Sequence, residues 1–378
     1  MTDPAHPSAT ASSSAIKWAA LGLVTLLCLA FLAAAAEGFV RLRQYLRAGY
    51  AVSQTALYRD DARLQLRVLN PNLRLGPVSI NSSGFRGPEI DTPKPPGRVR
   101  IAFLGASTTF CAEVSSDTAA WPHLVAEQLR AAYPAVSFDY VNGGVPGYIA
   151  SSSLTNLKHR VAAHRPDIIV IYHATNNLSR ETREMAIAQG LDDAAGSGQL
   201  SWLERHSLLW ELVVKNLRVR KAQADNGGQA ASPGKRKLVI DPARIGAQFQ
   251  AEMTALVKES NGVAARVAVA TFSIRLRAEQ TPAQQNQAAV SAFVYSPFMS
   301  TEGLLHGFAR YNGIIREVAA AEGALLIDGE NAIPGDAVHF VDTVHFTDAG
   351  SRKMAERVFL ALKSDARIAA LAEARRTR

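Results

Sequence analysis

Cysteine is nearly absent: Cys28 and Cys111 are the only two in 378 residues. Cys28 lies inside an apolar run, so no bridge to Cys111 in a soluble domain is expected, and the fold must rely on its own core. That absence does not exclude export. No CxxC pair and no HExxH motif occurs, and the other histidines lack ligand spacing, so neither a metal nor another cofactor is expected. A concentrated basic surface is missing too. The formal net charge is +8, but Lys and Arg cluster only at Arg41–Arg47, Lys235–Lys237 and Arg375–Arg378, with no aromatic residues interleaved. Nucleic-acid binding needs a concentrated patch, so it is not expected. With 48% hydrophobic and 20% charged residues, the chain has room for one large domain plus appendages, or two small domains.

One long apolar run is present. Trp18 to Ala36 reads WAALGLVTLLCLAFLAAAA, 19 residues without a charge. At about 1.5 Å per residue it spans a hydrocarbon core of about 30 Å. It is expected as a transmembrane helix behind a disordered cytoplasmic tail, residues 1–17. A cleaved signal peptide is the rival reading, because Ala33–Ala36 offers small residues for cleavage. Leu27 before Cys28 is too large for a lipoprotein signal. Residues 37–98 then form a basic juxtamembrane helix, Phe39 to Tyr50, and a loosely patterned approach segment ending in INSSGFRGPE and the linker DTPKPPGR.

From Val99 the chain alternates strand and helix. Expected strands are Val99–Gly105, Phe138–Asn142, Asp167–His173, Ala265–Phe272 and Ala324–Asp328. Expected helices are Ala119–Tyr133, one carrying Leu154, Leu157 and Val161, then Ala243–Glu259, Leu304–Glu322 and Asp348–Leu362. The alternation predicts an α/β domain over residues 99–364, a parallel sheet covered by helices on both faces. An insertion at 190–237 breaks the rhythm: an amphipathic piece, Trp202–Val219, reads as a lid, and the polar stretch after it as a disordered loop. Residues 365–378 read as a basic C-terminal tail.

Four short segments at strand ends carry chemistry. Ser107 follows the first strand in Phe103–Thr109 (FLGASTT), where a helix N-terminus offers backbone N–H groups to an oxyanion. Asn142–Gly147 (NGGVPG) follows the second strand, where glycines let the backbone turn an N–H into a cleft. Ala174-Thr175-Asn176-Asn177 follows the third strand, and an Asn amide at a strand's carboxyl end can donate to a developing oxyanion. Asp342-Thr343-Val344-His345 places a base three residues after a carboxylate able to fix its tautomer. Singly, each segment is an ordinary turn. Jointly, they supply nucleophile, base, orienter and donors on one edge of one sheet. Cys111 reads as a buried, inert thiol, and His173 as either a substrate contact or strand-end packing.

The order Ser107, Gly147, Asn176, then Asp342 and His345, resembles the four blocks of the SGNH (GDSL-like) serine hydrolases. Trp121-Pro122 resembles the family's pattern after the serine, and INSSGFRGPE the preamble of membrane-anchored bacterial members. The resemblance covers roughly Val99 to Leu362. Ala106 stands where an acidic residue is usual, Ala174 where a glycine is, and Asn177 where an aspartate is; none removes a catalytic atom. The resemblance implies a flavodoxin-like three-layer αβα fold. It implies Ser107, His345 and Asp342 as a catalytic triad, and Ser107, Gly147 and Asn176 as the oxyanion hole. The substrate implied is an O-acyl ester, O-acetyl among them, of an envelope carbohydrate or lipid. Two alternatives stay open: an O-acyltransferase using the same residues, and a non-catalytic glycan-binding envelope protein. The expected location is the bacterial inner membrane, single-pass, with the catalytic domain outside the cytoplasm, although Arg41, Arg43 and Arg47 against Lys17 argue for the reverse.

Overall fold

The structure, a computed structural model, describes residues 10–48, 54–191, 202–226, 237–240 and 244–376. The tail residues 1–9, much of the insertion and the last two residues lie outside them. Helix α1 spans Thr10–Ala48. It starts inside the stretch expected as a tail and runs unbroken through the apolar run into the basic segment expected as a separate helix. The Ala-rich junction contains strong helix formers and no proline, so nothing stops propagation there. Residues Ala15–Leu46 are long and apolar enough to cross a membrane, with mean hydropathy 2.4 and none of the most apolar window buried.

The approach segment is more structured than its pattern indicates. Strands β1 (Tyr58–Asp61) and β2 (Leu66–Leu69) form one antiparallel pair, β3 (Arg74–Leu75) and β4 (Val78–Ser79) another. Val68, Leu69, Ile80 and Phe85 are buried.

The parallel sheet begins with β5 (Val99–Gly105), buried along its whole length. There follow α2 (Ser107–Phe110), α3 (Trp121–Ala132), β6 (Phe138–Asn142), α4 (Ala150–Asn156), β7 (Ile168–Tyr172) and α5 (Thr175–Ala188). The insertion holds α6 (Trp202–His206) and α7 (Leu208–Asn226). Then come α8 (Ala247–Val263), β8 (Arg266–Ala270), α9 (Pro282–Tyr295), α10 (Thr301–Ala321), β9 (Leu325–Ile327), α11 (Asp348–Ser364) and α12 (Ala366–Arg376). The order is β6-β5-β7-β8-β9, all pairs parallel. Helix α3 packs against α11, and α8 against both α4 and α10, giving the three-layer αβα arrangement. The strand order reverses between β5 and β7, and open parallel sheets bind ligands at the carboxyl ends beside such a reversal. Ile168 to Tyr172 are all buried, which explains the unbroken apolar run of β7.

The C-terminal residues correct the expectation of a basic tail. Asp365 accepts from the N–H groups of Arg367 and Ile368 at the start of α12, and Ile368 and Ala372 are buried. Arg375 pairs with Asp167 at 3.0 Å. The charge count concealed an apolar i, i+4 pair.

The described residues fall into two compact units. One contains α1 and residues 202–215 of the insertion, and the other contains the sheet and its helices. Inside the first unit the Glu37 carboxylate accepts from Ser207 Oγ (2.7 Å) and from the N–H groups of Leu208 and Leu209 (2.9 Å each). A carboxylate there satisfies orphan donors at a helix start and complements the dipole. Arg41 bonds the other edge, to Glu37 Oε1 at 2.7 Å and the His206 carbonyl at 2.9 Å. The piece expected as a lid thus packs on α1.

Candidate active site

Three of the five site residues expected from the sequence, Ser107, His345 and Asp342, are joined by direct contacts at the carboxyl end of the sheet. Ser107 opens α2 straight after β5, and His345 Nε2 lies 2.8 Å from its Oγ. His345 Nδ1 lies 2.8 Å from Asp342 Oδ2, while Asp342 Oδ1 accepts from the N–H groups of Val344 and His345 at 2.9 Å. Asp342 thus closes its own turn with one oxygen and holds the imidazole with the other. Ser107 and His345 are partly exposed, so a substrate can reach them.

Asn176 sits in the first turn of α5 and donates from Nδ2 to the Tyr148 carbonyl at 2.9 Å. That bond uses one of the two amide hydrogens. Gly147, exposed between Pro146 and Tyr148, has φ +87°, which only glycine adopts without strain, and it carries the Asn142–Gly147 loop round toward Asn176's partner. The adjacent Asn177 is buried: Oδ1 accepts from Ala150 N at the start of α4, and Nδ2 donates to Glu252 at 2.8 Å. An aspartate there would face the Glu252 carboxylate. The departure at 177 is therefore matched by its neighbour.

The turn bearing Ser107 is fixed from three sides. Asn142 donates to the Thr109 carbonyl at 3.0 Å and accepts from Gly144 N. A Cβ on Gly144 would stand 2.7 Å from Phe110 N, so the two loops meet too closely for any side chain. Trp121, fully buried, donates from Nε1 to the Thr108 carbonyl at 2.9 Å. Arg86, from the preamble and 2% exposed, donates through Nη1 to the carbonyls of Phe110 (2.6 Å) and Cys111, and pairs with Asp117 at 2.8 Å. A buried guanidinium on the last carbonyls of a one-turn helix satisfies acceptors that water cannot reach.

Electrostatics follow from these contacts. Burial would depress the His345 pKa, but the hydrogen bond to Asp342 and the charges of Glu113 and Asp342 outweigh it and hold it above the ordinary value. Burial would raise Asp342, yet the bonds from His345 and two backbone N–H groups hold it low. Glu113 Oε1 stands 4.0 Å from His345 Nε2; desolvation lifts its carboxyl above the usual range, against the pull of His345. Cys111 is buried, and burial pushes its thiol up to about 12, so it is inert. His173 is buried against Ser153 Oγ at 2.8 Å, and desolvation drives its pKa down to about 3: it packs, as a neutral ring.

Sequence reasoning missed two participants. Glu113 lies in no periodic pattern. Helix α9 grips the turn that carries His345: Thr343 Oγ1 donates to the Ala288 carbonyl (2.6 Å) and accepts from Ser291 Oγ (2.7 Å). Thr281 and Gln284 form a capping box with Pro282 in the first turn, a start signal legible in TPAQ. A cavity of about 630 Å³ lined by Lys94, Arg165, Asp167 and Arg375 opens at the opposite, amino end of the strands. Its Lys94 and Arg375 are both paired to Asp167, and no nucleophile adjoins it.

A comparison with curated protein sequences finds no match. Similar solved structures include an acetylxylan esterase from Geobacillus stearothermophilus, 15% identical, TM-score 0.41, covering 70% of this chain and 93% of that one. A lipase/acylhydrolase from Enterococcus faecalis is 16% identical, TM-score 0.41, covering 70% of this chain and 95% of that one. The profile of the GDSL-like lipase/acylhydrolase family matches residues 103–353, well over half of the chain. The chain belongs to this family, and it is a serine hydrolase acting on ester bonds.

Proposed function

We propose that the protein is a membrane-anchored serine esterase that removes O-acyl groups, O-acetyl among them, from cell-envelope carbohydrate or lipid. The observation that carries the reading is the unbroken line Asp342–His345–Ser107, with both links at 2.8 Å. His345 Nε2 takes the Ser107 hydroxyl proton as Oγ bonds to the ester carbonyl carbon. The carbonyl oxygen becomes an oxyanion held by the N–H groups of Ser107 and Gly147 and the Asn176 amide. The imidazolium formed is stabilised by Asp342, with Glu113 close by. Collapse of the intermediate breaks the ester C–O bond, and His345 passes its proton to the leaving alcohol. Water then attacks the acyl-enzyme, giving its proton to His345, and Ser107 leaves with that proton as the acid is released.

The domain division supporting this reading is an anchor in residues 18–36, a juxtamembrane and approach segment to residue 98, and a hydrolase domain over 99–364 with the insertion 190–237. The anchor retains the enzyme at the membrane, which is why its substrate is sought among envelope esters. The test is a fluorophosphonate probe followed by an ester panel. The wild type should label on Ser107 and turn over small acyl esters. Ser107→Ala should fold, fail to label and lose several orders of magnitude in turnover. Wild-type turnover in that variant would remove Ser107 from the mechanism, and an unlabelled wild type would favour a binding protein.

A further inference from the structure

The uncharged run ends at Ala36, and Glu37 is the first charged residue after it. If Trp18–Ala36 fills a hydrocarbon core of about 30 Å, Glu37 falls at the boundary between acyl chains and headgroups. Glu37 is also the residue that holds the insertion: it bonds Ser207, Leu208 and Leu209, and Arg41 one turn on bonds the His206 carbonyl. The junction of α6 and α7 is thereby fixed at that depth along α1.

What α6 and the first turns of α7 expose is largely apolar. Trp202 is 66% exposed, and Leu203, Trp210, Leu212 and Val213 are exposed as well, while Leu208 is buried. Trp210 and Val213 are three apart and share a stripe on α7. Monomeric soluble proteins rarely leave such a patch uncovered. Two exposed tryptophans flanking a junction tied to the end of a spanning helix match the aromatic belt of a membrane interface, where a ring is half in hydrocarbon and half wet.

We infer that α6 and the first turns of α7 lie in the bilayer interface, as a second, non-spanning membrane contact beside the anchor. The occupant of the exposed apolar patch is the lipid itself. The argument is one of continuity: the apolar surface of α1 is equally uncovered, and a bilayer that covers it to Glu37 meets Trp202 and Trp210 at its edge. The inference rests on the anchor reading of α1. It gives the insertion a task of its own, fixing how α1 and the segment tied to it meet the membrane surface.

The test uses the full chain in phosphatidylcholine–phosphatidylglycerol vesicles whose acyl chains are brominated just below the headgroup. The four tryptophans are Trp18, Trp121, Trp202 and Trp210. Trp121 is fully buried and serves as an unquenched internal standard. Variants retain Trp121 and one of the other three, with the remainder changed to Phe, and ester turnover verifies folding. Trp202 and Trp210 should lose most of their emission in brominated vesicles, as Trp18 does. Unquenched Trp202 and Trp210 beside a quenched Trp18 overturn the inference and leave the anchor standing. If Trp18 is unquenched too, the anchor reading falls with it.

Discussion

At the residue scale, the proposed mechanism makes the acid–base behaviour of His345 decide the pH profile. Catalysis needs the neutral ring, and the His345 pKa is raised, so turnover should climb with pH through a midpoint above the ordinary value of 6.5. Stability runs the other way. The contribution of the His345–Asp342 pair is full below the ordinary histidine value and fades as pH rises through the raised one. Asp342, held low, adds a contribution that is lost only as pH falls through its depressed pKa. Glu113 is one of the groups lifting His345, and it touches neither Ser107 nor Asp342 through a hydrogen bond among those described. Glu113→Gln should therefore shift the acid limb of kcat/KM to lower pH while preserving activity on the plateau. A midpoint unchanged in Glu113→Gln would show that its charge is screened by solvent at 4.0 Å. The sequence could reveal Asp342 and His345, since three residues in one turn bring them together. Glu113 is different: nothing local marks it, and only the folded chain carries it to His345.

At the element scale, the site is a meeting of strand ends held in part by helices that contribute no reacting atom. Helix α9 is the clearest case. It buries Ala288, Ala289 and Phe293 in the core and uses Ala288 and Ser291 to hold Thr343. Thr343 in turn accepts at its carbonyl from Arg275 N, at 2.8 Å. Thr343→Val keeps the shape and deletes the hydroxyl, leaving the Ala288 carbonyl and Ser291 with fewer partners. The expected loss of stability is about 1–3 kcal/mol, as for a buried polar group left unsatisfied. Because the freed turn carries both Asp342 and His345, kcat should fall with KM for a small ester unchanged, and Thr343→Ser should restore most of it. A stability loss with wild-type kcat would make α9 mere packing. The strands were readable because a strand buried on both faces shows an unbroken apolar run, as β7 does. Helix α9 was not read, because two of its three buried residues are alanines, which barely raise the pattern. Its only strong signal is the capping box at Thr281. The preamble hairpins escaped for another reason: strands of two to four residues are too short to show a period.

At the scale of the whole molecule, two arguments about orientation conflict, and the conflict is physical. Arg41, Arg43 and Arg47 outnumber Lys17 around the apolar run, and the bias of positive charge toward the cytoplasm would retain the hydrolase domain there. Arg41, however, is engaged: it pairs with Glu37 at 2.7 Å and bonds the His206 carbonyl, so part of that charge is compensated in the folded protein. Insertion is decided earlier, while the helix passes the translocation machinery, and long following domains cross largely regardless of charge. The apolar run also lies where an export signal belongs, near the N-terminus. We propose a cytoplasmic N-terminus and a hydrolase domain on the outer face of a bacterial inner membrane. Alkaline phosphatase, active only after export, should thus be active when fused behind residue 60 and again behind the C-terminus. The full-length anchor should stay uncleaved, migrating with the membrane fraction through an alkaline wash. Activity with release into the soluble fraction would make α1 a cleaved signal. Inactive phosphatase at both fusion points, with normal expression, would place the domain inside the cell and turn the search for its ester toward cytoplasmic or lipid-linked acyl groups.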